Sequence, residues 1–114
     1  SMVATGYSIQ GEYDRIRGYD NPQDLAGKYL HQNLTEEEID ATWIVATSRF
    51  EATNVAIWAD SAGIEYGLFA SGGILDNTLV PEGREYILAT GNLSYVGEVS
   101  ETITGDGFIV YKLK

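Results

Sequence analysis

Cysteine is absent from this chain, so disulfides, thiolate metal sites and cysteine nucleophiles are excluded. Histidine occurs once, at His31. A metal site would have to be built from carboxylates, suiting Ca²⁺ or Mg²⁺ rather than Zn²⁺, and no EF-hand loop is present. Neither a metal nor an organic cofactor is expected. Basic side chains are scarce, seven against seventeen acidic ones, for a formal net charge of −10. Nucleic-acid phosphate and anionic lipid are poor partners for such a field, whereas a basic partner suits it. No apolar run approaches the roughly 18 residues of a membrane span. The start, SMVATGYSIQ, has neither the basic region nor the apolar core of an export signal. A soluble protein, cytoplasmic by default, is expected, with residues 1–2 read as a tag remnant.

What is present fits one domain over residues 1–114, long enough to bury a modest core. Val3 to Arg17 alternates loosely and predicts a first strand. Asn21, Pro22 and Asp24 form a helix start, with a cap, a first-position proline and an acid at the positive end of the dipole. Thr35 and Glu38 have the spacing of a capping box for a second short helix. That helix is expected to yield near Ala41 or Thr42 to a strand reaching Phe50. Beyond it the punctuation predicts antiparallel hairpins: Asn54–Ala59 with Ile64–Ala70, Arg84–Thr90 with Leu93–Ile103, and a last strand, Phe108–Leu113. Gly91 and Asn92 suit a turn with positive φ, and Gly97 suits a bulge.

Alternate residues of these strands are apolar on both sides: Tyr86 and Leu88 against Ile87 and Ala89, Phe108 and Val110 against Ile109 and Tyr111. A sheet with one wet face is not written this way, so the second face must be covered by helices, by a partner subunit, or by closure around an interior. The expected fold is mainly β, an antiparallel meander curled into a small barrel, with one or two short helices in the N-terminal third.

The run from Arg84 to Lys114 resembles the C-terminal strands of the allene oxide cyclase and dirigent-like β-barrel family, including small bacterial barrels of the spirotetronate-cyclase type. The matching positions are Thr90-Gly91, Tyr95, Gly97, Thr102 and Tyr111. The resemblance implies an apolar barrel interior that shapes a reactive substrate without metal or cofactor. It implies no particular catalytic residue.

Trp43, Trp58, Tyr66, Tyr86 and Tyr95 lie in predicted strands and are the candidate ligand-binding residues. Aromatic rings with a polar tip can surround an apolar small molecule and orient it; the same residues also serve as ordinary core. Arg49, a charge expected inside a strand, is the sixth candidate. Glu36, Glu37 and Glu38 are explained by helix capping before any binding role. Two functions follow. The first is a small-molecule-binding barrel, a cofactor-independent cyclase or isomerase acting on an apolar substrate. The second is an acidic interaction or inhibitor domain with a filled interior, its carboxylates gathered on one surface to meet a basic partner. A homo-oligomer is compatible with both.

Overall fold

Helix α1 (Pro22–Asn33) starts where its residues dictate, with the Asn21 side chain accepting from the Asp24 N–H at 2.8 Å. The computed structural model describes residues 21–61 and 63–114. Helix α2 (Glu36–Asp40) carries a complete capping box. Thr35 Oγ accepts from the Glu38 N–H at 3.1 Å, and Glu38 Oε1 accepts from the Thr35 N–H at 2.9 Å. Strand β1 (Thr42–Ala46) follows, buried at every residue. Helix α3 (Arg49–Ala59) is capped by Ser48, whose hydroxyl accepts from the Glu51 N–H. It leads into strand β2 (Glu65–Leu68). The remaining elements are β3 (Ile74–Leu75), a 3₁₀ turn (Asn77–Leu79), β4 (Tyr86–Ala89), β5 (Ser94–Tyr95), β6 (Val99–Thr104) and β7 (Ile109–Leu113).

The main sheet has the order β2-β1-β4-β7-β6, and β3 pairs with β5 in a small second sheet. β1 lies parallel to both of its neighbours, with Trp43 opposite Glu65 and Ile87. β7 lies antiparallel to β4 and β6. The mainly β barrel is therefore corrected to an open, mixed sheet with helices, 33% helix and 30% strand, in which neither type dominates. Three misread segments account for the difference. Asn54–Ala59 belongs to α3, so the expected hairpin with Ile64–Ala70 is a β–α–β crossover. The strand expected from Thr42 to Phe50 stops at Ala46. Arg84–Thr90 does not pair with Leu93–Ile103, because β4 takes β7 as its neighbour and β5 takes β3.

The hairpin from β6 to β7 does form, and Gly91 and Asn92 hold φ of 65° and 62° at the turn after β4. Gly97 lies between β5 and β6, packed against the Tyr95 ring, and the register irregularity falls at Val99/Glu101 instead. The strand expected over Val3 to Arg17 lies outside the described residues.

Two packed cores explain why both strand faces are apolar. Ile44, Ala46, Tyr86, Leu88 and Val110 point to the helices, where Leu30, Ala52 and Val55 meet them. Trp43, Val45, Ile87, Ala89 and Tyr111 point the other way, beneath Leu75, Leu93 and Tyr95 of the small sheet and its loops. Covering both faces with other parts of the chain removes any need to close the sheet. α1 and α3 approach closely at Gly27, where a Cβ would sit 2.5 Å from the Val55 carbonyl oxygen.

Candidate interaction site

In open sheets of parallel strands, ligands ordinarily bind beyond the carboxyl ends of the strands, where the winding reverses. Here that reversal is at β1, and the loop that follows it is held by the chain's own carboxylate. Glu51 Oε1 accepts from the Thr47 N–H at 2.9 Å and from its hydroxyl at 2.6 Å, placing a carboxylate at the start of α3. The Thr47 methyl packs against Gly91, which has no side chain to displace it. An incoming anion would meet Glu51 already in position.

The opposite end of the sheet is built differently. α1 and α3 both end there, so the partial negative charges of two helix C-termini converge. Between them lies a groove of about 340 Å³ whose wall includes His31, Leu34, Glu36, Asp40, Asp60 and Ser61. Asp40 closes α2, and its Oδ1 accepts from the Ser61 hydroxyl at 3.0 Å. Asp60 caps α3 in the left-handed conformation at φ 59°. Glu37, Glu65 and Glu85 are exposed at the same end of α2, β2 and β4.

Counter-charge is limited. Arg84 is mostly buried; its Nη1 donates to the Asp40 carbonyl oxygen at 3.0 Å and its Nη2 pairs with Glu65. It ties α2, β2 and the start of β4 together and leaves the Asp40, Glu36 and Asp60 carboxylates unneutralised by it. Glu38 is held below the usual carboxylate range, first by the Thr35 N–H and then by the Tyr86 hydroxyl, with Lys112 a smaller contribution. The Tyr86 hydroxyl donates to Glu38 Oε2 at 2.9 Å, and burial, then that carboxylate, pushes its pKa up to about 12.

The six residues expected to bind a ligand are not brought together. Trp43 is buried on the small-sheet side of β1, edge-on to Phe69 at 5.9 Å between ring centroids. Tyr95 lies on that side too, 5.7 Å from the Tyr111 ring, whose hydroxyl accepts from the Tyr95 N–H at 3.2 Å. Tyr86 is on the other side of the sheet, facing the helices. Trp58 is not in a strand but in α3, with Lys28 Nζ 4.7 Å above its ring. Tyr66 is exposed on β2, and Arg49 is exposed at the first position of α3 instead of inside a strand. Among the described residues, no group of three or more His, Asp or Glu side chains is placed to hold a metal ion. No helix among them is long and apolar enough to cross a membrane.

A second groove, of about 600 Å³, runs between α3 and β2 past Ala56, Ile57, Ile64 and Tyr66, and shares Asp60 and Ser61 with the acidic one. Ile57 (64% exposed) and Tyr66 (41%) line it, and Phe50 (70%) on α3 and Leu68 (49%) on β2 are exposed apolar residues of the same two elements. Sequence reasoning passed over Phe50, Ile57 and Leu68. Phe50 and Ile57 are seven apart, two turns of one helix face, a signal that is readable only once α3 is recognised as a helix. No family model, no characterised protein and no solved structure matches this chain.

Proposed function

We propose that this chain is an acidic interaction domain that captures a basic protein segment at the end of the sheet where α1, α2 and α3 meet. The observation that carries the reading is the convergence at one end of two helix C-termini with the Glu36, Asp40 and Asp60 carboxylates around a groove of about 340 Å³. A lysine or arginine entering it would find acceptors on two walls and a favourable helix-end field. Packed side chains on both faces of the sheet also suit a binding surface. A further groove, of about 630 Å³, has Arg84 and Lys114 as well as Glu82 and Glu98 in its wall, so it has no comparable sign.

The test is fluorescence anisotropy with a labelled arginine-rich peptide at low and high salt. Glu36→Lys combined with Asp60→Lys is expected to weaken binding by about tenfold or more, since each factor of ten is only about 1.4 kcal/mol. Glu82→Lys combined with Glu98→Lys, the same change of net charge elsewhere, is expected to cost much less. Equal losses from the two pairs would reduce the effect to net charge and overturn the reading.

A further inference from the structure

We infer that the captured basic segment binds as an added β-strand on the open outer edge of β2, its apolar side chains in the α3–β2 groove and its basic end in the acidic groove. This inference rests on the acidic-domain reading and extends it to the conformation of the partner.

The backbone comes first. The Phe69 N–H donates to the Ala46 carbonyl at 2.9 Å, so Phe69 faces β1. Strand backbone groups alternate sides, which turns Gly67 and Glu65 toward β1 and leaves the N–H and C=O of Tyr66 and Leu68 facing outward. β2 ends the sheet, and no strand among the described residues pairs with that outer edge. Open edges of this kind are templates for an incoming strand unless they are blunted.

The side chains point the same way. Ile64, Tyr66 and Leu68 alternate onto the helix side of the sheet, Tyr66 and Leu68 opposite Ile44 and Ala46, and Ile57 on α3 lines the same groove as Ile64 and Tyr66. An added strand would lay every second side chain into this groove. The groove continues past Asp60 and Ser61 into the acidic one, at the end of β2 that begins with Glu65. A segment that fits both grooves is extended, apolar at alternate positions, and carries lysine or arginine at the end nearest Glu65. A second copy of this chain does not meet that requirement, because it brings a net charge of −10 to a surface where Asp60 caps α3 and Glu65 opens β2.

The probes are short peptides of alternating valine and threonine with two arginines at the amino or the carboxyl end, and a matched peptide with serines in their place. One arginine-ended peptide is expected to bind about tenfold more tightly than the serine-ended one, and the better end reports strand direction. Tyr66→Pro removes one outward N–H on an edge strand, where proline is tolerated. Ile57→Lys changes an exposed helix position. Each is expected to weaken that peptide by about tenfold or more while the protein stays folded by circular dichroism. If Asp60→Lys abolishes binding while Tyr66→Pro and Ile57→Lys leave it unchanged, the added-strand inference is overturned and the acidic reading stands. If none of the three changes affinity, both fall. A β2-mediated dimer in sedimentation, dissociated by Tyr66→Pro, would also overturn the inference.

Discussion

The two edges of the main sheet are finished in opposite ways. β6 is interrupted by a register irregularity between Val99 and Glu101, and Ser100, Glu101, Thr102 and Thr104 are its exposed residues. A bulge and a charge are standard means of keeping another strand from pairing with an edge. β2 has neither device in its middle. Its pairing with β1 is regular from Glu65 to Leu68, and two of its three exposed side chains, Tyr66 and Leu68, are apolar. Among the described residues, one sheet thus contains a protected edge and an unpaired one, and the unpaired one lies next to the apolar groove that joins the acidic one. The contrast within the described residues is what the added-strand proposal rests on.

The largest expected effect breaks β2 from beneath. Trp43 lies under Gly67, whose added Cβ would sit 2.7 Å from the indole, and it packs edge-on against Phe69. Trp43→Ala removes that floor and should cost about 3–5 kcal/mol in urea unfolding, as large-to-small core changes do. Amide protection should fall further at β2 than at β6. Equal loosening of the two edges would mean that they are not independently held.

A smaller effect concerns the tie between the sheet and the acidic end. Tyr86 is a tyrosine with its pKa raised to about 12, so the folded state holds the phenolic proton more tightly than the unfolded chain, where the value is about 10. The associated stability is complete below pH 10 and is lost as pH rises through 12. Glu38 is lowered, so its contribution is present above the ordinary carboxylate range and disappears as acid titrates it. Stability curves should therefore fall at both extremes. Tyr86→Phe should flatten the alkaline fall and, with its hydroxyl gone from Glu38, soften the acid one. An unchanged alkaline slope would remove Tyr86 from the account.

The smallest effect sharpens the comparison most. Tyr66→Lys places a gatekeeper charge on an exposed strand position and should change stability by no more than about 0.5 kcal/mol in thermal or urea unfolding. A large loss would show that Tyr66 is held in the core and not offered to a partner.

Local signals were readable at the starts of the first two helices. Asn21, Pro22 and Asp24 open α1 as their chemistry requires, and Thr35 with Glu38 closes both halves of its box. Apolar residues on both strand faces correctly required a cover on each. The cover turned out to be helices on one side and the small sheet with its loops on the other. α3 was missed although Ser48 and Glu51 repeat the spacing of Thr35 and Glu38, because Arg49–Ala59 mixes aromatic and branched residues and its buried stripe is only Ala52, Val55 and Ala59. Short apolar runs do not distinguish a period of 2 from 3.6.

Strand partners were misassigned for a different reason. Neighbours in sequence usually pair, but β4 reaches past β5 and β6 to β7, a choice made by burial across the whole sheet. The candidate site was legible only in fragments. Glu36 was visible as a first-turn acid, yet nothing local to it shows that Asp60 faces it from the end of another helix. Nor does any stretch of sequence state which strand will be outermost, so the exposure of Tyr66 could not be told from that of Tyr86.

The difference between the two edges is most directly measured by amide hydrogen exchange, free and saturated with the tighter arginine-ended peptide. Slowed exchange at Tyr66 and Leu68, with Ser100 to Thr104 unchanged, is the predicted result. Protection appearing along β6, or none at Tyr66 and Leu68 at saturation, would contradict it.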